Sequence, residues 1–75
     1  MKNQDVVSAW KKGTSANTKN LSTNGSNLYS YALLIGYTDG SKKIVKDYTK
    51  GSHYSVTTST HVNMAKKVSD VIEEV

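Results

Sequence analysis

The chain predicts an α+β domain: a three- to four-stranded antiparallel meander sheet covered by a C-terminal amphipathic helix, with a short N-terminal helix. Three observations carry this expectation. Asn24-Gly25 and Asp39-Gly40 interrupt runs of β-favouring residues, and both dipeptides tolerate the positive φ angles that tight hairpin turns demand. The segment Tyr54-Ser55-Val56-Thr57-Thr58-Ser59-Thr60-His61-Val62 passes from a β-branched run into a helical pattern within a few residues. From there His61, Met64, Ala65, Val68, Val71, Ile72 and Val75 form one stripe, opposite Asn63, Lys66, Lys67, Asp70, Glu73 and Glu74.

In chain order, residues 3–12 read as the first helix, because Val6, Val7 and Trp10 fall at helical spacing, with a strand as the competing reading because Val6 and Val7 also suit one. Asn3 stands at its cap and Gly13 supplies a left-handed stop. So short a helix does not hold in water alone, so Trp10 must anchor it. Residues 13–20 read as a polar loop. Strands follow over 20–23, 28–37 and 42–49. If Thr38 opposes Ser41, then Tyr37 opposes Lys42, Ile35 opposes Ile44, Leu33 opposes Lys46 and Tyr31 opposes Tyr48. The odd-numbered face of the central strand, Tyr29, Tyr31, Leu33, Ile35 and Tyr37, is then the core side. Leu34 opposite Val45 leaves a smaller apolar patch behind it. Gly36 in mid-strand signals a bulge or a close approach by the covering helix. Residues 53–58 form the fourth strand, and Thr58 or Ser59 caps the last helix.

Seventy-five residues make a single domain, 1–75, near the lower size limit for one hydrophobic core. There is no cysteine, hence no disulfide and no zinc pattern. No apolar run approaches a membrane span, and Met1-Lys2-Asn3-Gln4-Asp5 lacks the apolar core of a signal peptide, so the expected compartment is the cytoplasm. The net charge is +4, from ten lysines and no arginine. Arginine is the usual reader of guanine edges, so its absence argues against sequence-specific DNA readout. Eight of the lysines lie in residues 1–50 against Asp5, Asp39 and Asp47, so the first two thirds of the chain are basic. Such a surface also serves solubility alone.

Candidate chemistry is sparse. His61 lies beside Thr57, Thr58, Ser59 and Thr60, but no residue is marked to orient its ring or to stabilise an oxyanion, so it reads as structural. His53, His61 and Asp47 match no metal-ligand spacing. The glycines form no phosphate loop. The chain therefore reads as no enzyme, with no cofactor and no metal. Tyr29, Tyr31, Tyr37, Tyr48 and Tyr54 all fall on predicted strands. Strand aromatics beside lysines can stack single-stranded bases, whereas tyrosine also builds small cores with its hydroxyl at the rim. The candidate partner-binding residues are Tyr37, Lys42, Lys43, Lys46 and Lys50 around the second hairpin, with Lys11 and Lys12 from the end of the first helix.

Trp10-x-x-Gly13, Asn20-Leu21-Ser22-Thr23-Asn24-Gly25-x-x-Leu28-Tyr29-Ser30-Tyr31 and Tyr54-Ser55-Val56-Thr57-Thr58-Ser59-x-His61 together resemble a group of short proteins of tailed bacteriophages and other mobile elements. The resemblance implies a phage or plasmid origin and no particular activity; the lysine-, asparagine- and tyrosine-rich usage suits a low-GC bacterial host. The expected function is a non-catalytic accessory factor that binds and modulates a host protein or defence complex, by analogy with other short phage proteins. The alternative is a nucleic-acid-binding module using the lysine- and tyrosine-rich sheet. A homodimer is compatible with either.

Overall fold

Turn chemistry and a crossover at the C-terminus build a larger sheet than the sequence predicts. The computed structural model describes residues 2–48 and 56–74. These form α1 (Asn3–Lys12), β1 (Ser15–Asn17), β2 (Leu21–Asn24), β3 (Leu28–Ser30), β4 (Leu33–Asp39), β5 (Lys42–Asp47), α2 (Val56–Lys66) and β6 (Val71–Glu74). The α+β class is as expected. The sheet, however, has six strands in sequence order, and it is mixed: β1 to β5 are antiparallel neighbours and β6 runs parallel to β5.

α1 has the expected bounds. Trp10 is fully buried, and Gly13 closes the helix at φ 82°. Its start differs: Lys2 occupies the cap position, and its backbone N–H donates to Asp5 Oδ2 at 2.9 Å. Asn3 lies inside the helix, which frees its side chain for the interior. The expected 13–20 loop contains β1, whose Ala16 pairs with Thr23. Its polar residues suit an edge position, where only one side of the strand needs partners.

The run 28–37 is two strands, not one. It turns at Tyr31-Ala32, so Ser30 pairs with Leu33, and Tyr31 has φ 56°. Tyr31 therefore does not oppose Tyr48. Leu28 pairs with Gly36 but Tyr29 with Leu34, which leaves Ile35 as an extra residue on β4. Such a bulge turns two successive residues to one side, and both Ile35 and Gly36 are buried. Leu33 and Ile35 accordingly contact the core as expected. Tyr29 sits between buried Leu28 and Ser30 and points the other way. Beyond the bulge the parity is reversed, so Tyr37 also leaves the core face. Gly36 thus marks both a bulge and a close approach, although the approaching element is α1: a Cβ there would lie 2.9 Å from Trp10 Cζ2.

Both turns differ from the expected two-residue loops at Asn-Gly and Asp-Gly. Asp39 pairs with Lys42, so Gly40-Ser41 forms the tight turn, with Gly40 at φ 64°. A positive φ is needed at the first central residue of such a turn, and glycine takes it while Asp39 stays in the strand. The register moves by two: Tyr37 opposes Ile44, not Lys42, and Val45 opposes Gly36, not Leu34. Around Asn24-Gly25 the last pair is Thr23–Leu28. A wider turn results, in which Asn24 Oδ1 accepts from the N–H groups of Ser26 and Asn27.

The C-terminal third departs most. Val56, Thr57 and Thr58, expected in a strand, begin α2; residues 53–55 of that strand lie outside the described residues. The helix stops at Lys66, and Val71 and Ile72, expected on its stripe, belong to β6. Asp70 sets the switch. Its Oδ2 accepts from the Lys43 backbone N–H at 2.8 Å, and its own N–H donates to the Lys43 carbonyl at 2.7 Å, starting the parallel ladder. α2 is then the crossover of a βαβ unit. It lies on the same sheet face as α1, since Val62 and Ala65 share one buried cluster with Val6, Val7, Trp10, Leu28 and Val45. No described helix is long and apolar enough to cross a membrane.

Trp10→Ala is expected to cost about 3–5 kcal/mol, the range for emptying a buried aromatic site. Gly36→Ala is expected to cost about 1–3 kcal/mol through overpacking against the indole. Urea denaturation of the two single variants and the double variant checks this. The double variant should lose less than the sum, because the new methyl enters the vacated space.

Candidate functional site

The residues with the makings of a nucleophile–base pair lie under the helices and are closed off. Ser30 Oγ is 2.7 Å from His61 Nδ1, and Asn3 Nδ2 is 3.1 Å from His61 Nε2. Ser30 donates to Thr58 Oγ1 at 3.3 Å, and Thr18 donates to Asn3 Oδ1 at 2.5 Å. A neutral imidazole has one donor and one acceptor nitrogen, and here each ring nitrogen has its own partner, Ser30 on one side and Asn3 on the other. The Asn3 side chain is bonded in turn to Thr18, and Ser30 to Thr58.

A serine acting as a nucleophile must reach a substrate as well as its histidine. Ser30 and His61 are each 1% exposed, so no substrate reaches them. Burial lowers the His61 pKa below its ordinary value, favouring the neutral ring. The network instead ties together α1, the β1–β2 connection, β3 and α2. His61 stands where its stripe suggested, but Asn3, Thr18 and Ser30 carry no local signal, since each meets it across a long stretch of chain.

The sequence-predicted binding residues do not form one patch. Lys43 is only 7% exposed. Its Nζ donates to the Gly25 carbonyl at 3.0 Å and to Thr38 Oγ1 at 2.7 Å, and lies 5.6 Å from the Trp10 ring centroid. Burial lowers its pKa, with Lys11 adding to the effect and Asp70 opposing it. Lys43 is part of the interior. The Tyr37 hydroxyl donates to Glu73 Oε1 at 2.8 Å, which raises its pKa. Lys46 opposes the same Glu73 across β5–β6. Lys50 lies outside the described residues.

Lys42, Lys11 and Lys12 are exposed. The structure does bring the end of α1 to the second hairpin: Lys11 Nζ is 3.6 Å from Asp70 Oδ1. The Lys43 backbone N–H first, and then Lys11 and Lys42, hold the Asp70 carboxyl below the usual range. Of the tyrosines, Tyr29 is half-buried and its hydroxyl accepts from Asn27 Nδ2, while Tyr31 is 56% exposed. Among the described residues no three of His, Cys, Asp or Glu gather as metal ligands; His53 and Tyr54 lie outside them.

What remains facing outward is shape and charge. Asn3 meets His61 near the start of α1, and Lys11 meets Asp70 just beyond α2. The two helices therefore run side by side in the same sense. Between them lies a groove of about 210 Å³ lined by Gln4, Val7, Ser8, Met64, Lys67 and Val68. The other sheet face carries Tyr29, Leu34, Tyr37 and Ile44, with neither helix over it. No family model, no curated protein and no solved structure matches this chain.

Two outcomes test these assignments. A group whose folded pKa is depressed stabilises the fold above its unfolded value and loses that contribution as pH falls. For His61 the loss therefore sets in as pH drops below about 6.5, the ordinary histidine value. His61→Gln should lower the melting temperature at neutral pH and flatten that part of the stability–pH curve. Lys43→Gln should cost about 1–3 kcal/mol by leaving the Gly25 carbonyl underbonded, whereas Lys42→Gln should change stability by less than about 0.5 kcal/mol. Thermal melts of the two variants side by side check the contrast.

Proposed function

We propose that this protein is a small non-catalytic accessory factor that works by binding another protein. The observation that carries the reading is the sealed Ser30–His61–Asn3 network, in which both nitrogens of the imidazole ring are committed to the fold. The most plausible-looking chemistry in the chain is thereby assigned a structural duty. Surface shape and charge are left as the means of action. The setting implied by the resemblance, a phage or mobile element acting on a host protein or defence complex in the host cytoplasm, belongs to the same proposal.

The nucleic-acid alternative has less support. Its expected platform loses Lys43 to the interior, and the Tyr37 hydroxyl is bonded to Glu73, which stands opposite Lys46 in the sheet. Base stacking on a sheet asks for aromatic faces free beside free cations, and among the described lysines of this hairpin Lys42 is exposed, Lys46 half-buried and Lys43 buried. Lysine-driven binding to random DNA also weakens steeply as salt rises.

The test has two arms. Tagged protein is used to capture partners from host lysate at 0.05 and about 0.3 M salt, with identification by mass spectrometry. Affinity for random single- and double-stranded DNA is measured over the same range. A single protein retained in stoichiometric amount at the higher salt, with DNA binding weak throughout, is the expected result. Tight DNA binding with a steep salt slope and no retained protein overturns the reading.

A further inference from the structure

We infer that the groove between α1 and α2 is the docking site for an acidic amphipathic helix of a partner protein. The inference rests on the protein-binding reading above and names its surface. The floor is aliphatic: Val7 is buried, and Met64 and Val68 are half-buried, so the space between them suits an apolar side chain. The walls are the polar, exposed Gln4 and Ser8 on one side and Lys67 on the other.

The charges around the groove select the sign of the partner. Lys66 is held by Asp47 at 3.0 Å, and Lys11 and Asp70 offset one another. Lys67, on the wall, and Lys12, four residues beyond Ser8 on α1, are exposed and have no partner among the described residues. A residue four positions on continues the same helical stripe, so Lys12 extends the Ser8 wall as a cation. The groove thus has an apolar floor, one unneutralised ammonium group on its wall and a second about one helical turn beyond Ser8. An incoming helix with an apolar stripe flanked by carboxylates matches both parts, in the groove-docking mode of helical peptides.

Other occupants fit worse. A second copy would bring Lys12 and Lys67 against the same two residues, and like charges at an interface are unfavourable. A nucleic acid would meet an aliphatic floor that offers its bases no aromatic ring to stack on.

The test titrates full-length ¹⁵N-labelled protein with two synthetic helical peptides that share one leucine stripe. One carries glutamate at its remaining positions and the other lysine. The glutamate peptide should move the amide signals of Val7, Ser8, Met64, Lys67 and Val68 saturably, and the lysine peptide should not. Lys12→Glu with Lys67→Glu should stay folded, with a melting temperature lowered only slightly by the reversed charge at the helix ends, and bind the glutamate peptide about tenfold more weakly. Equal binding of the two peptides, shifts centred on Tyr29 and Leu34, or unchanged affinity in the double variant overturns the inference. Concentration-dependent shifts of the groove signals without peptide assign the groove to a second copy and overturn it as well. The lysate capture, repeated with the double variant, separates the two proposals. A partner retained equally by parent and variant removes the groove and leaves the protein-binding reading standing.

Discussion

The seat of Trp10 on Gly36 is the contact on which the other elements depend. The indole is fully buried, and the absence of a Cβ at Gly36 is what lets its ring lie against β4. Its Nε1–H donates to the Ser26 carbonyl at 3.0 Å, so the ring's polar end is satisfied by the β2–β3 turn. Lys43 places its ammonium group over the same ring and donates to Gly25 in that turn. One side chain thus joins α1, the β2–β3 turn, β4 and β5. The approach is equally close a few residues away: a Cβ at Gly25 would lie 2.6 Å from the Gly13 carbonyl oxygen. In a chain this small, without cysteine, such multiply shared contacts replace the cross-links that short domains often need.

The second organising device is polar. Burying a polar group is costly unless it is bonded, and a partly bonded network is worse than an apolar core. Here the network is complete: among the described residues no buried side-chain nitrogen or oxygen lacks a partner. A finished network specifies one arrangement of α1 against α2, because sliding either helix leaves Asn3 or His61 unpaired. Directional bonds therefore set the register between the helices, while Val6, Val7, Val62 and Ala65 supply the burial.

What was legible in the sequence was local. The bounds of α1, the anchoring duty of Trp10, the stop at Gly13 and the double meaning of Gly36 all follow from residue types and spacing. The missed features arise from distant contacts. Asp70 bonds both backbone groups of Lys43, so Val71 and Ile72 extend the sheet although their spacing fits a helical stripe. The bulge at Ile35 reverses the faces within one strand, which no alternation pattern reports. Lys43 was partly readable: it has the parity of Val45, and placing Val45 in the core would have put Lys43 on the same face. Choosing the odd-numbered face of the central run as the core concealed this. The buried partners Asn3, Thr18 and Ser30 had no local signal, and the groove becomes visible only once α1 and α2 are known to lie in parallel.

Parallel helices also explain why cations collect where they do. Each helix carries partial negative charge at its C-terminal end, and side by side in the same sense the two ends reinforce one another. Lys11 and Lys12 close α1, and Lys66 closes α2. Helix stabilisation accounts for these positions, and it would be met equally well by lysines already paired with carboxylates, as Lys11 and Lys66 are. It does not require cations beyond those. Lys12 and Lys67 are the surplus: Lys67 lines the groove between the helices, and Lys12 follows one turn after Ser8, which lines it too. The dipole argument thus explains why lysines lie at this end of the helical layer. The unpaired charge beside an apolar floor is the part it leaves unexplained.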